Sequence, residues 1–340
     1  MKRTSLLLKA GVILLLVLLL AVVCAAESVH DETTEKILTL FETCTYEAED
    51  GYTMGYRLYV PADYDAAEMY PLVLFLHGAG ERGDNNTAQL TVGLPRMFDD
   101  ADSPIYEAIV IAPQCPADEQ WVDTPWADGN YSTADVPESK AMQTALAILD
   151  KVCASYNVNK HRLYVTGLSM GGFGTWDVLA RHGDRFAAGM PLCGGGDPSC
   201  VDVLSRIPIR TFHGTNDSSV PVAGTREMYR EIKHAVSRED LLITYREISG
   251  YGHGIWDVVY GDRENVDWFF SQGADLEPEP VFVITPAETT PESDPAEPET
   301  TRPIWIVPLC TCLCAAALVV VTMIVAKGKR NGGNGENAAF

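Results

Sequence analysis

The chain has 340 residues, with 47 Asp or Glu against 25 Lys or Arg and a formal charge of −22. Such a balance repels polyanions and excludes a nucleic-acid binder, which needs a basic face to neutralise phosphates. Hydrophobic residues make up 46% and charged ones 21%, apolar surface enough to offset the entropy of ordering, so wholesale disorder is excluded as well.

The amino end carries Lys2, Arg3 and Lys9, then an uncharged run from Ala10 to Val23 and the small residues Ala25 and Ala26. That order predicts a secretory signal over residues 1–26. An uncleaved anchor is the alternative, although this run is short against the roughly 20 residues of a span. Residues 27–275 alternate apolar runs with turn residues, as in one α/β domain of ordinary size.

Within that domain, Tyr52 to Val60 places Met54, Tyr56, Leu58 and Val60 on one face, the alternation of a half-buried strand. Pro71 to Leu76 is a continuous apolar run ending in His77-Gly78-Ala79-Gly80, a strand buried on both faces and then a tight turn. Ala108 to Ala112 repeats the pattern. Between Ser139 and Tyr156, Met142, Ala145, Leu146, Leu149, Val152 and Cys153 recur at helical spacing. Further strands are predicted at Arg162 to Thr166, Ala187 to Leu192, Ile207 to Phe212 and Leu241 to Ile248. Helices are predicted at Gly171 to Arg181, Ala223 to Ala235 and around Val266 to Phe270. This alternation implies a mostly parallel central sheet with helices on both faces, where chemistry gathers beyond the carboxyl ends of the strands.

Beyond the domain, residues 276–302 read as a stalk: Glu277 to Thr301 holds seven acidic residues, six prolines and no basic residue, so it extends and repels itself. Residues 303–326 read as a transmembrane helix, because Ile304 to Ala326 is uncharged throughout. Lys327, Lys329 and Arg330 follow, which puts the tail, residues 327–340, in the cytoplasm and the domain outside a single-pass cell membrane anchor. The domain itself carries nearly all of the negative charge. It also holds an odd number of cysteines, Cys44, Cys115, Cys153, Cys193 and Cys200. Cys193 and Cys200 flank a turn-rich loop that could bring them together, with buried free thiols as the alternative.

Gly167-Leu168-Ser169-Met170-Gly171 matches G-x-S-x-G and lies between a predicted strand and a predicted helix. A nucleophile on so sharp a turn brings neighbouring backbone too close for a β-carbon at either glycine. Asp217 follows the next strand but one, in His213-Gly214-Thr215-Asn216-Asp217, and His253 follows the last, in Gly250-Tyr251-Gly252-His253-Gly254. Singly, these residues are a cap, a turn former and a surface histidine. In this order, each at a strand's carboxyl end, they form a candidate Ser-Asp-His triad: His253 takes the Ser169 proton and Asp217 orients the imidazole. The N–H groups of Ala79 and Met170 are candidates for the oxyanion hole. His77 and His213, each preceding a glycine at a strand end, read as loop braces.

Leu76-His77-Gly78-Ala79-Gly80-Glu81-Arg82-Gly83-Asp84, Gly167-Leu168-Ser169-Met170-Gly171-Gly172-Phe173-Gly174-Thr175-Trp176 and Gly252-His253 with Trp256 resemble the α/β-hydrolase-fold esterases grouped near feruloyl and acetyl-xylan esterases. Some proteins of that resemblance are predicted peptidases of the prolyl oligopeptidase type. It covers Thr45 to Gln272, but not the stalk or anchor. It implies carboxylic ester hydrolysis through an acyl-serine intermediate, with Ser169, Asp217 and His253 at the triad positions.

A peptidase of that type carries a large propeller ahead of its catalytic domain, for which this chain has no room before its first predicted strand. Few residues separate Leu192 from Ile207, so no large cap domain is expected. An uncapped site on a stalk suits a bulky ester, such as an esterified neutral polysaccharide, with Trp121 and Trp256 as candidate stacking residues. The peptidase and a non-catalytic surface binding protein on the same fold remain alternatives. No metal-ligand constellation is present in the sequence and triad chemistry needs no cofactor. N-x-S/T sites occur at Asn85, Asn130 and Asn216, and a glycan beside Asp217 would crowd the site, which favours a bacterial surface.

Overall fold

The computed structural model describes residues 35–276. The signal, stalk, membrane helix and tail expected at the two ends lie outside these residues, apart from the start of the stalk at residue 276. Among the described residues, no helix is long and apolar enough to cross a membrane.

Residues 35–40 are helical (α1) and lead into the first strand. Eight strands form one sheet: β1 (Glu42–Glu47), β2 (Thr53–Tyr59), β3 (Tyr70–Leu76), β4 (Ile109–Pro113), β5 (Val158–Leu168), β6 (Ala188–Leu192), β7 (Ile209–Gly214) and β8 (Ile243–Ile248). Their order is β1-β2-β4-β3-β5-β6-β7-β8. Pairing is parallel from β4 through β8, and β2 alone runs against its neighbours β1 and β4. The mixed sheet therefore agrees with the mostly parallel one expected.

The helices follow as α2 (Leu94–Met97), α3 (Lys140–Ser155), α4 (Met170–His182), α5 (Val201–Leu204), α6 (Val222–Ala235), α7 (Trp256–Tyr260) and α8 (Arg263–Ser271). Strand β3 explains how they divide. Its run is apolar at every position, and successive side chains point to opposite faces. Leu72, Leu74 and Leu76 enter one core with Met142 and Leu149 of α3, Trp176 of α4 and Met228 of α6. Val73 and Phe75 enter the other, with Ile37 of α1 and Val266, Phe269 and Phe270 of α8. Helix α3 starts where expected because the Ser139 hydroxyl accepts the Met142 N–H at 3.0 Å, satisfying one of the free donors of its first turn.

The short helices α1, α2, α5 and α7 were not expected, and two strands differ from expectation by more than two residues. Strand β1 is an edge strand with an exposed, charged sequence, ETCTYE, so it shows no apolar alternation. Strand β5 begins four residues earlier than Arg162, in the polar stretch Val158-Asn159-Lys160-His161. Between β6 and β7 only the single turns Pro198–Cys200 and α5 intervene, so no large cap stands over the strand ends on that side. The cysteines among the described residues are all free thiols, Cys193 and Cys200 included.

Candidate active site

Strand β5 ends at Leu168 and α4 begins at Met170, so Ser169 alone makes the turn between them, with φ 56° and ψ −119°. A residue with a β-carbon held in so sparsely populated a conformation costs on the order of 1–3 kcal/mol, which the surroundings must offset. The Ser169 N–H donates to Leu192 O at 2.9 Å, and its carbonyl accepts from Gly172 N at 2.8 Å and Phe173 N at 3.1 Å. A β-carbon on Gly171 would stand 1.9 Å from Leu76 O, and one on Gly167 2.5 Å from Gly171 O. Both glycines of the motif are there because main chain occupies the space.

The three triad candidates meet. Ser169 Oγ lies 2.7 Å from His253 Nε2, and His253 Nδ1 lies 2.6 Å from Asp217 Oδ2. A carboxylate only accepts, so Nδ1 carries the proton and Nε2 is free to take one from the serine hydroxyl. Asp217 Oδ1 accepts the N–H groups of Ser219 at 2.8 Å and Val220 at 2.9 Å. Burial would raise the Asp217 carboxyl, but hydrogen bonds from His213, His253 and those two main-chain groups outweigh it and hold the carboxyl well below the usual carboxylate range.

His77 braces the opposite wall. It is buried, its Nδ1 donates to Gly78 O at 2.6 Å, and its Nε2 accepts the Cys115 N–H at 2.9 Å. Burial pushes its imidazole down to about 4, so it is a neutral structural group. The turn it holds presents Ala79, which lines a cavity of about 260 Å³ together with Ser169 and His253. Neither Ala79 N–H nor Met170 N–H enters a main-chain hydrogen bond among the described residues, which leaves both available to an oxyanion.

One sequence expectation is corrected. Trp121 does not reach the cavity: it is fully buried, its ring packs edge-on against His77 at 5.2 Å, and its indole N–H donates to His77 O at 3.0 Å. Trp256 does line the cavity, its ring perpendicular to that of His253 at 5.5 Å. The second tryptophan that lines the cavity is Trp126, five residues beyond Trp121 in the same loop, with the Arg82 guanidinium 5.8 Å from its ring centre. Pro125 before it marks a loop position, but no periodicity distinguishes a loop tryptophan that faces a cavity from one that faces the core. Glu81 lines the same cavity, and burial raises its carboxyl despite hydrogen bonds from the Gly78 and Glu81 N–H groups.

Cys193, Asp217 and His253 bring a sulfur, an oxygen and a nitrogen within 4.8 Å of one another. The chemistry of that donor set does not suit a metal. Burial pushes the Cys193 thiol up to about 12, so it is protonated, and the carboxylate and imidazole are bonded to each other. The Cys193 thiol instead donates to His253 O at 3.3 Å.

A model of the putative esterase family matches residues 49–268. The bifunctional acetylxylan esterase/xylanase XynS20E of Neocallimastix patriciarum is 28% identical over 203 residues, 59% of this chain and 27% of that protein. The probable feruloyl esterase C of Aspergillus niger is 27% identical over 177 residues, 51% of this chain and 58% of that one. This chain thus spans well under two thirds of the length of these relatives. Among solved structures, a thermostable esterase superposes with a TM-score of 0.62 and 33% identity, covering 69% of this chain and 64% of that one. A ferulic acid esterase shares the fold alone, with a TM-score of 0.51 and 17% identity over 68% of this chain and 98% of that one. The sheet and its helices are α/β-hydrolase-like.

Proposed function

The chain belongs to the putative esterase family, and from that premise we propose that it is a serine hydrolase that cleaves carboxylic esters through an acyl-serine intermediate, its substrates being acetyl or feruloyl esters of a polysaccharide. The observation that carries this reading is the unbroken relay from Ser169 through His253 to Asp217, opening on a cavity that Trp126 and Trp256 help to line.

Ser169 Oγ attacks the ester carbonyl while His253 Nε2 takes its proton. The developing oxyanion is held by the N–H groups of Met170 and Ala79, donors that need no reorganisation because the β5–α4 turn and the His77 turn fix them. His253 then protonates the departing alcohol, and with Asp217 still on Nδ1 it activates the water that releases the acid from Ser169.

The substrate class draws support from the relatives named for acetylxylan and feruloyl esters and from the two indoles at the cavity, which offer flat apolar faces to a sugar ring or an aromatic acyl group. The acidic surface favours neutral esters over phosphorylated or highly carboxylated polymers. We place the enzyme at a cell surface, with the apolar segment 303–326 as its anchor and the acidic, proline-rich segment 276–302 as its stalk. The test is release of acetate or ferulate from xylan fragments, run beside a peptide library. Ester cleavage is the expected result, and cleavage of peptides alone would overturn the reading.

A further inference from the structure

His213 is the next-to-last residue of β7 and is wholly buried. Its Nε2 stands 3.1 Å from Asp217 Oδ2 and 3.1 Å from Val220 O, both acceptors, so this nitrogen carries a proton. Its Nδ1 stands 2.7 Å from the Thr225 hydroxyl on α6, which in turn reaches Gly194 O at 2.7 Å. A buried histidine with a polar partner at both ring nitrogens is ordinarily a brace. This one touches the same carboxylate oxygen that receives the His253 Nδ1–H.

His253 therefore donates to Asp217 Oδ2 and the His213 Nε2–H stands against the same oxygen at 3.1 Å, while Ser219 and Val220 donate to Oδ1. A carboxylate so bound cannot rotate, and its plane sets the direction of the His253 ring. We infer that His213 is a positioning residue of the reaction, a strut on β7, backed by Thr225 of α6, that fixes Asp217 and through it aims His253 Nε2 at Ser169. The second effect is on basicity: a carboxylate held by three donors with a further N–H against it competes poorly for the shared proton, which stays on His253. The groups facing Asp217 are His213 from β7, His253 from the loop after β8 and the Cys193 thiol just after β6, and Glu247 of β8 is near enough to His213 to feel it electrostatically.

The inference rests on reading Asp217 as the acid of a working triad. It is tested in the full-length chain with His213→Leu, which removes the donor, and His213→Gln, whose amide can place an N–H where Nε2 stood. A hydrogen bond to a charged group carries a roughly 10- to 100-fold effect. His213→Leu is expected to lose kcat by that factor on a soluble acetyl ester with KM moved less than about twofold, and His213→Gln to recover most of the loss. In the proton NMR spectrum the low-field imidazole N–H signals bonded to Asp217 should fall from two to one in His213→Leu. Equal losses in both variants, a loss that tracks the melting temperature, or an unchanged kcat in folded His213→Leu would overturn the inference. Should His213→Leu not fold, Thr225→Val carries the test: a fall in kcat at constant KM supports the strut, and an unchanged kcat refutes it. Wild type that hydrolyses no ester would instead remove the triad reading, while the two low-field signals would still report the contact.

Discussion

The two sides of the reacting serine are built by different means. On the nucleophile side, β3, β5 and α4 approach so closely that main chain fills the space beside Gly167 and Gly171, and Ser169 is held at a φ of 56° by packing. On the acid–base side, Asp217 and His253 stand on loops whose tips are largely exposed, Ser218 and Ser219 in one and Ser249 to Gly252 in the other. There, position comes from polar contacts: hydrogen bonds from His253, Ser219 and Val220 onto Asp217 with His213 3.1 Å away, and one from the Cys193 thiol onto the His253 carbonyl. Packing resists displacement in every direction, whereas a hydrogen-bond array fails one partner at a time. Damage on the first side should therefore appear as lost fold, and damage on the second as lost rate in a folded protein.

The largest effect should come from the one change that removes chemistry and leaves both sides standing. Ser169→Ala is expected to lower ester hydrolysis about a million-fold while the melting temperature moves little, as seen by kinetics and calorimetry on one preparation. Asp217→Asn acts on the hydrogen-bonded side and should cost about ten thousand-fold in kcat, again with the fold kept. A comparable loss of folded protein in Asp217→Asn would erase the distinction between the two sides. Gly171→Ala acts on the packed side, where its β-carbon meets Leu76 O and His77 O. Backbone cannot yield cheaply, so at least about 4 kcal/mol of stability should be lost, read from denaturant unfolding.

How much of this could be read beforehand differs between the same two regions. The nucleophile turn announces itself, because a strand that packs on both faces must be apolar throughout and a turn that crowds main chain must carry glycine. Asp217 and His253 were legible from chain order and from their places at strand ends. The His213 contact was not: a histidine before a glycine marks a loop, and only the three-dimensional approach of β7 to the acid shows which atom its Nε2 meets. Trp121 and Trp126 were inseparable for a similar reason, since both sit in one irregular loop where burial follows no period. Strand β1 escaped because an exposed edge strand buries too little to leave a hydrophobic pattern.

His77 provides a graded probe of the packed side. Its folded-state value, about 4, lies below the ordinary 6.5, so the unfolded chain takes up the proton first. Stability is thus full above about 6.5 and falls as the pH drops toward 4, by about 3 kcal/mol at 1.4 kcal/mol per unit. Melting temperatures across that interval should show a slope that flattens in His77→Gln, and an unaltered slope would show that another group governs it. The smallest effect belongs to the rim. Trp126→Ala should raise KM for an aromatic ester roughly tenfold and change kcat less than threefold, because its indole lines the cavity and forms no part of the relay.

The central claim is that Ser169 is a nucleophile activated by His253, and a fluorophosphonate reagent tests it without any assumption about substrate. Intact protein should acquire one covalent adduct, mapped by peptide mass to Ser169 and absent from Ser169→Ala. An unlabelled wild type, or an adduct that persists in Ser169→Ala, would contradict the account.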